Sequence, residues 1–433
     1  MNAKLFPTIA LLIGLAISNN TAAQTAPDTA TLPDINQVYA VVEAAEASGE
    51  YATVARELLA ANQHLQSSEI YAYAALYYGK AHNADSAAVS LALALDNGMA
   101  SPQILSKYPD LAVAQQSSKW PTVKQKLQDL SQQLKQIDRF EIDTRSLDHF
   151  WPYFDQALQD TTQAQELLKE YVLSGSPAVR DFYTVRYTNV DNMYRTMIRD
   201  IPEHYQLTRE VFAASQLDTV KQGVISMMRT LSELYEPAVF PKVYIVPGIN
   251  NTGGTATNLG LFVGAEKFVK PTDQPWAALS KAQQDSLTSM EGMQGLIMHE
   301  LMHFQQNYHD DENGNKVMGA IIMEGVCDFL VEVCSGEVRQ EDKLDYLAQP
   351  ENMRFILDEL KKDLYTEEFS NWLYNGNSIE DRPGDIGYTI GYKICKSYYE
   401  QSPDKKKAIH TLLNTDNFEE IYRNSAYAEV LGE

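Results

Sequence analysis

Between Leu296 and Gln306 the chain reads LIMHELMHFQQ, with His299 and His303 four positions apart and Glu300 directly after the first histidine. On a helix, positions i and i+4 share a face, so both imidazoles can offer a nitrogen to one ion about 2 Å away. Glu300 then points about a hundred degrees round from His299, off the histidine stripe but within reach of a water on that ion. Ile297, Met298, Leu301 and Met302 surround these residues with apolar side chains. Polar groups left unsatisfied in such a setting cost roughly a few kcal/mol each, and a zinc ion accounts for them.

A catalytic zinc takes three protein ligands and leaves its fourth position to water. After His303 the sequence continues FQQNYHDDENGNK, without the glycine and third histidine of a metzincin. His309 falls where acidic, Asn and Gly residues end the helix, which makes it a poor third ligand. Further on, MGAIIMEGVCDFLVEV is an apolar helical stretch interrupted by Glu324 and Asp328, again four apart. Such a pair can be a solvated face, yet Ile321, Ile322, Met323, Val326, Phe329 and Leu330 leave little open surface for one. A buried carboxylate normally pairs or binds metal. Glu324 is therefore the expected third ligand of one zinc ion per chain, and Asp328, one turn on, the expected acceptor for the outer N–H of a liganding histidine.

HExxH followed downstream by ExxxD resembles the signature of the gluzincin metallopeptidases. HELMH…EGVCD is similar to a family of bacterial zinc-dependent proteases catalogued as a domain of unknown function, over a span expected to run from about Asp138 to the C-terminus and to include GYTIGYKI. The resemblance implies a zincin-like fold and peptide hydrolysis, in which Glu300 takes a proton from a zinc-activated water and delivers it to the leaving amine. The developing oxyanion needs a further donor, for which Tyr388, ahead of Tyr392, is the candidate. Two other functions fit the same residues: zinc-dependent amide hydrolysis of a non-protein envelope substrate, and a helical-repeat binding or scaffold protein with a vestigial metal site. An inactive descendant usually loses Glu300 or a ligand, and neither is lost.

The elements that must position these residues read as mainly α, an α+β chain with one small sheet. Residues 35–137 are helical in pattern, and YAYAALYYGKAHNADSAAVSLALALDNGM gives two short helices, Tyr71 to Ala81 and Asp85 to Asp96, stopped by Gly98. These resemble tetratricopeptide-type hairpins, although a generic helical array fits as well, and they could recruit a protein partner. SKYPDLAVAQQSSKWPTVKQKL supplies a third and fourth helix. Residues 138–433 form the expected metallopeptidase domain, with Pro152, Pro177 and Pro202 marking breaks between helices. In FPKVYIVPGINNTGGTATNLGLFVGAEKF, the runs Val243 to Val246 and Leu259 to Val263 read as a hairpin with a long loop. The second run is expected to be the edge strand that pairs with extended substrate. GINNTGGT lacks the lysine of a P-loop and opens a strand, which excludes a nucleotide cradle. Helices are expected to resume around Leu279.

The bulk properties agree with an exported enzyme. The chain has 433 residues, 44% of them hydrophobic and 21% charged, enough for two or three folded domains. A net charge of −23 and no basic cluster larger than Lys405 to Lys407 exclude nucleic acid as a partner, leaving a peptide or protein substrate. Residues 1–23 read as a signal peptide, with Lys4, an apolar run from Leu5 to Ile17, and Thr21 and Ala23 before the cut, and residues 24–34 as a linker. No other stretch reaches the roughly 18 apolar residues of a spanning helix, so a periplasmic or secreted product without an integral membrane segment is expected. Cys327, Cys334 and Cys395 are too few for a disulfide scaffold and read as small buried hydrophobes, with a pairing of Cys395 left open.

Overall fold

The computed structural model describes residues 32–430 apart from 216, 270–278, 280–283, 285, 286, 310–312, 377 and 378. The expected signal peptide and most of the linker lie outside the described residues, as does most of the stretch around Leu279. The chain divides into two compact units, one of residues 32–307 with 330–337 and one of residues 308–329 with 338 onward.

In the first unit, α1 (Ile35–Ala47), α2 (Tyr51–Leu65), α3 (Ser68–Lys80), α4 (Ala84–Asp96) and α5 (Trp120–Leu134) follow one another. Side chains cap three of them: Asp34 on α1, Ser67 on α3 and Asn83 on α4 each accept a backbone N–H of the first turn. Gly98, at φ 105°, follows α4 as its stop. The expected third helix is a four-residue α-turn at Ile104–Lys107 and then a 3₁₀ segment, Pro109–Gln116. That segment runs so close to α3 that a Cβ on Gly79 would sit 2.6 Å from the carbonyl oxygen of Asp110.

These helices share their compact unit with residues 138–307, so the expected domain boundary near residue 137 falls inside it. Polar ties join the two parts. The Asn258 N–H donates to Glu69 (2.9 Å), Asp181 accepts the backbone N–H of Ser68 (2.8 Å), and the Ala100 N–H donates to the Asn258 carbonyl (2.6 Å). Glu69 is buried, and burial, reinforced by the charge of Asp181, pushes its carboxyl up to about 7.

The longer α-helices that follow are α6 (Arg145–Gln159), α7 (Ala164–Leu173), α8 (Pro202–Ala214) and α9 (Leu217–Leu234), with short helical turns at Pro177–Phe182 and Val190–Met193 between α7 and α8. Pro177 and Pro202 start helices as expected, but Pro152 sits inside α6 without ending it. Its missing N–H leaves only the carbonyl of Asp148 without a helical donor, and that residue is exposed to water.

Strands β1 (Ile142–Asp143), β2 (Val243–Val246), β3 (Gly254–Ala256) and β4 (Leu261–Gly264) form a sheet in the order β1-β2-β4-β3. The expected hairpin of Val243 to Val246 with Leu259 to Val263 is corrected here: β2 and β4 pair in parallel, Val243 opposite Leu261. The true hairpin lies within the presumed loop, where β3 pairs antiparallel with β4, Thr255 opposite Phe262. Its turn closes through the Thr257 N–H on the Gly260 carbonyl (2.9 Å), with Gly260 at φ 152° and no room for a Cβ beside the Lys242 carbonyl. Leu261, Phe262 and Val263 are all fully buried, as an interior strand covered on both faces should be. The edge strand on this side of the sheet is therefore β3, and β1 forms the other edge.

After the sheet, α10 (Met293–Gln305) completes the first unit, and α11 spans Val317–Ser335. The second unit is helical, with α12 (Glu341–Ala348), α13 (Pro350–Asp363), α14 (Ile386–Gln401) and α15 (Lys405–Asn414). Two glycines let α11 and α14 meet backbone to backbone. A Cβ on Gly391 would sit 1.7 Å from the carbonyl oxygen of Ile321, and one on Gly325 would sit 2.0 Å from the carbonyl carbon of Gly391. Gly391 of GYTIGYKI thus serves packing. Among the described residues no helix is long and apolar enough to cross a membrane.

Candidate metal centre

Helix α10 is apolar all round: Ile297, Met298, Leu301 and Met302 are fully buried, so every polar residue on it needs a partner. Gln305 has one in the backbone of Val239, donating to its carbonyl (2.8 Å) and accepting its N–H (3.0 Å), which pins the end of the helix. His299 is buried and His303 partly so, and their Nε2 atoms lie 3.1 Å apart with the rings at 77°. Two nitrogens each about 2.05 Å from a tetrahedral ion would stand roughly 3.3 Å apart, so the pair fits zinc. His303 Nδ1 lies 3.0 Å from the side-chain oxygen of Gln306. A proton on Nδ1 satisfies that oxygen and leaves a lone pair on Nε2, the tautomer a metal ligand needs.

Glu300 is buried on the same helix, beneath β3. A Cβ on Gly254 would sit 2.6 Å from both Cγ and Oε1 of Glu300, so the glycine is what lets the edge strand pass over this carboxylate. The loop entering β3 is held from below by Glu266, fully buried, which accepts the backbone N–H groups of Gly248 (2.8 Å) and Asn250 (2.9 Å).

The other two expected residues lie in the second unit, on the first part of α11. Glu324 is buried and accepts the hydroxyl of Tyr374. Asp328 is buried beside it, in an ion pair with Arg339 (3.0 Å) and accepting the side-chain amide of Gln340 (2.7 Å). Thr389 on α14 donates to the oxygen of that same amide (2.9 Å), fixing which way Gln340 points. Tyr388 meets Tyr374 edge-on, ring centres 6.1 Å apart at 82°. Burial, with the charge of Glu324 next, holds the Tyr388 phenol far above its usual range and so protonated, as a donor must be. Tyr392 packs against Phe329 and accepts from Lys396 (3.1 Å), a structural placement.

Sequence reasoning missed Gln306, Tyr374, Arg339 and Gln340. Gln306 could have been found, since it stands one helical turn beyond His303. Tyr374 carries no local signal. His309 is exposed and bonds through its backbone N–H to Thr415. None of the three cysteines is in a disulfide. Burial pushes Cys334 up to about 12 and Cys395 further, which suits inert thiols.

Residues 279–420 match the model of a family described as "Predicted Zn-dependent protease". The match takes in both halves of the metal motif and GYTIGYKI, and it is shorter than the expected span from Asp138 to the C-terminus. No curated protein and no solved structure matches the chain.

Proposed function

We propose that this protein is an exported zinc-dependent metallopeptidase in which His299, His303 and Glu324 hold one zinc ion per chain. The observation that carries this reading is the facing pair of imidazole nitrogens, 3.1 Å apart, with Gln306 behind His303. The description of the matched family supports it at the level of protease and metal. Bound zinc supplies Lewis acidity, which lowers the pKa of a water toward about 7 and polarises a carbonyl.

The chain's own residues do the rest. Glu300 takes the proton of the attacking water as general base and gives it to the leaving nitrogen as general acid. Its burial beneath β3 limits competing water around the carboxylate. Asp328, held by Arg339 and Gln340, braces the ligand region of α11. Tyr388, protonated, is the proposed hydrogen-bond donor to the oxyanion. An extended peptide would add to the sheet along β3, the edge strand above Glu300, through backbone hydrogen bonds that tolerate many side chains.

The test is metal content of the purified mature protein measured beside cleavage of a random peptide library. About one zinc per chain with cleavage inside peptides supports the reading. Zinc without cleavage of any peptide moves the activity to a non-peptide amide or to a binding role.

A further inference from the structure

Tyr374 lies in the loop between the buried Trp372 and α14, with its ring edge-on to that of Tyr388. It is 45% exposed, so it adds little to the core. Its φ is 58°, a left-handed conformation that side chains other than glycine rarely adopt. Its hydroxyl donates to Oε1 of Glu324, a carboxylate only 7% exposed.

The loop around it is built to hold that hydroxyl still. On one side Trp372 donates its indole N–H to Asp363 (3.0 Å), and the Arg382 guanidinium lies over its ring at 4.7 Å. On the other side Asp385 accepts the N–H groups of Asn375 (2.7 Å) and Gly376 (3.1 Å), and its own N–H returns to the Asn375 side chain (2.7 Å). Tyr388 closes edge-on against the phenol ring. An exposed, conformationally unfavourable aromatic fixed on both sides and joined to one buried carboxylate is a device for orienting that carboxylate.

We propose that Tyr374 is the positioning residue for Glu324, setting the rotation of the carboxylate before the metal arrives. The proposal rests on the reading of Glu324 as third zinc ligand. Partners that orient a ligand typically change metal affinity about 10- to 100-fold when removed, because a ligand already aimed loses less freedom on binding.

The experiment is a zinc dissociation constant from chelator competition on the mature chain, with the melting temperature of the metal-free protein alongside. Tyr374→Phe keeps the ring and removes only the hydroxyl, and Tyr374→Gly removes the side chain while suiting the left-handed backbone. Both should bind zinc about 10-fold or more weakly, with metal-free melting unchanged in the first and unchanged or raised in the second. Wild-type affinity in either variant overturns the assignment of Tyr374 alone. So does weaker binding matched by a fall in metal-free melting, since that marks a merely structural role. A wild-type protein that binds no zinc overturns the metallopeptidase reading together with it.

Discussion

Gly254 lies directly on the side chain of Glu300, so close that a methyl group there would sit 2.6 Å from the glutamate's Cγ. The edge strand and the proposed general base therefore pass in close contact, with room at this position for a glycine alone. Gly254→Ala should retain zinc and lose turnover by up to about 100-fold, the scale of effect expected when a reacting group is misplaced by about 1 Å. Gly253→Ala is the control, because a Cβ there meets Leu296 only at 3.6 Å, an ordinary contact. Equal activity in both variants would show that this contact does not govern turnover.

Glu300→Gln separates binding from chemistry. The amide should leave zinc content unchanged, because this side chain is no ligand, and lower kcat by about 10²- to 10⁴-fold, because it can neither take nor return a proton. A variant as fast as wild type would remove Glu300 from the mechanism while leaving the metal site intact.

His303→Ala should abolish zinc binding, read by elemental analysis of the purified protein. Gln306→Leu, which removes only the acceptor behind His303, should keep zinc but bind it about 10- to 100-fold more weakly. Full occupancy in His303→Ala would show that the ligand set is wrong.

Asp328→Asn should weaken zinc affinity or activity by about 10- to 100-fold and still fold. An amide at this position can accept from Gln340 but loses the charge that pairs with Arg339. Affinity and activity at wild-type levels would leave Asp328 with only a packing role.

The buried carboxyl of Glu69 makes stability fall as pH rises. Its folded value, about 7, lies above the ordinary 4.5, so between these values the folded chain holds a proton that the unfolded chain releases. Its stabilising contribution is complete below about 4.5 and is lost as pH climbs through 7. Glu69→Gln should flatten the melting temperature between pH 5 and 8 relative to wild type, on the order of the window these values set. Parallel pH profiles for the two proteins would show that Glu69 does not titrate in this range.

What the sequence determined by itself is local. Two histidines at helical spacing among apolar neighbours could sit on nothing but one helix face, and α10 places them so, because a period of 3.6 residues is a property of the backbone and not of its surroundings. The same logic made the mainly α class with one small sheet legible, along with the helices beside Gly98. Strand pairing was not legible, because β2 and β4 meet in parallel only after β3 folds back between them in sequence. A run of β-branched residues states that a strand exists and is silent about its neighbours. That is why the edge strand was assigned to Leu259–Val263 when the sheet puts it at Gly254–Ala256. The polar partners divide the same way. Gln306 sits one turn from His303 and is a local relationship, whereas Tyr374 reaches Glu324, and Arg339 and Gln340 reach Asp328, only because separate segments of the second unit close on α11. The backbone-to-backbone approach of α11 and α14 through Gly325 and Gly391 makes that closure possible, and no spacing within either segment announces it.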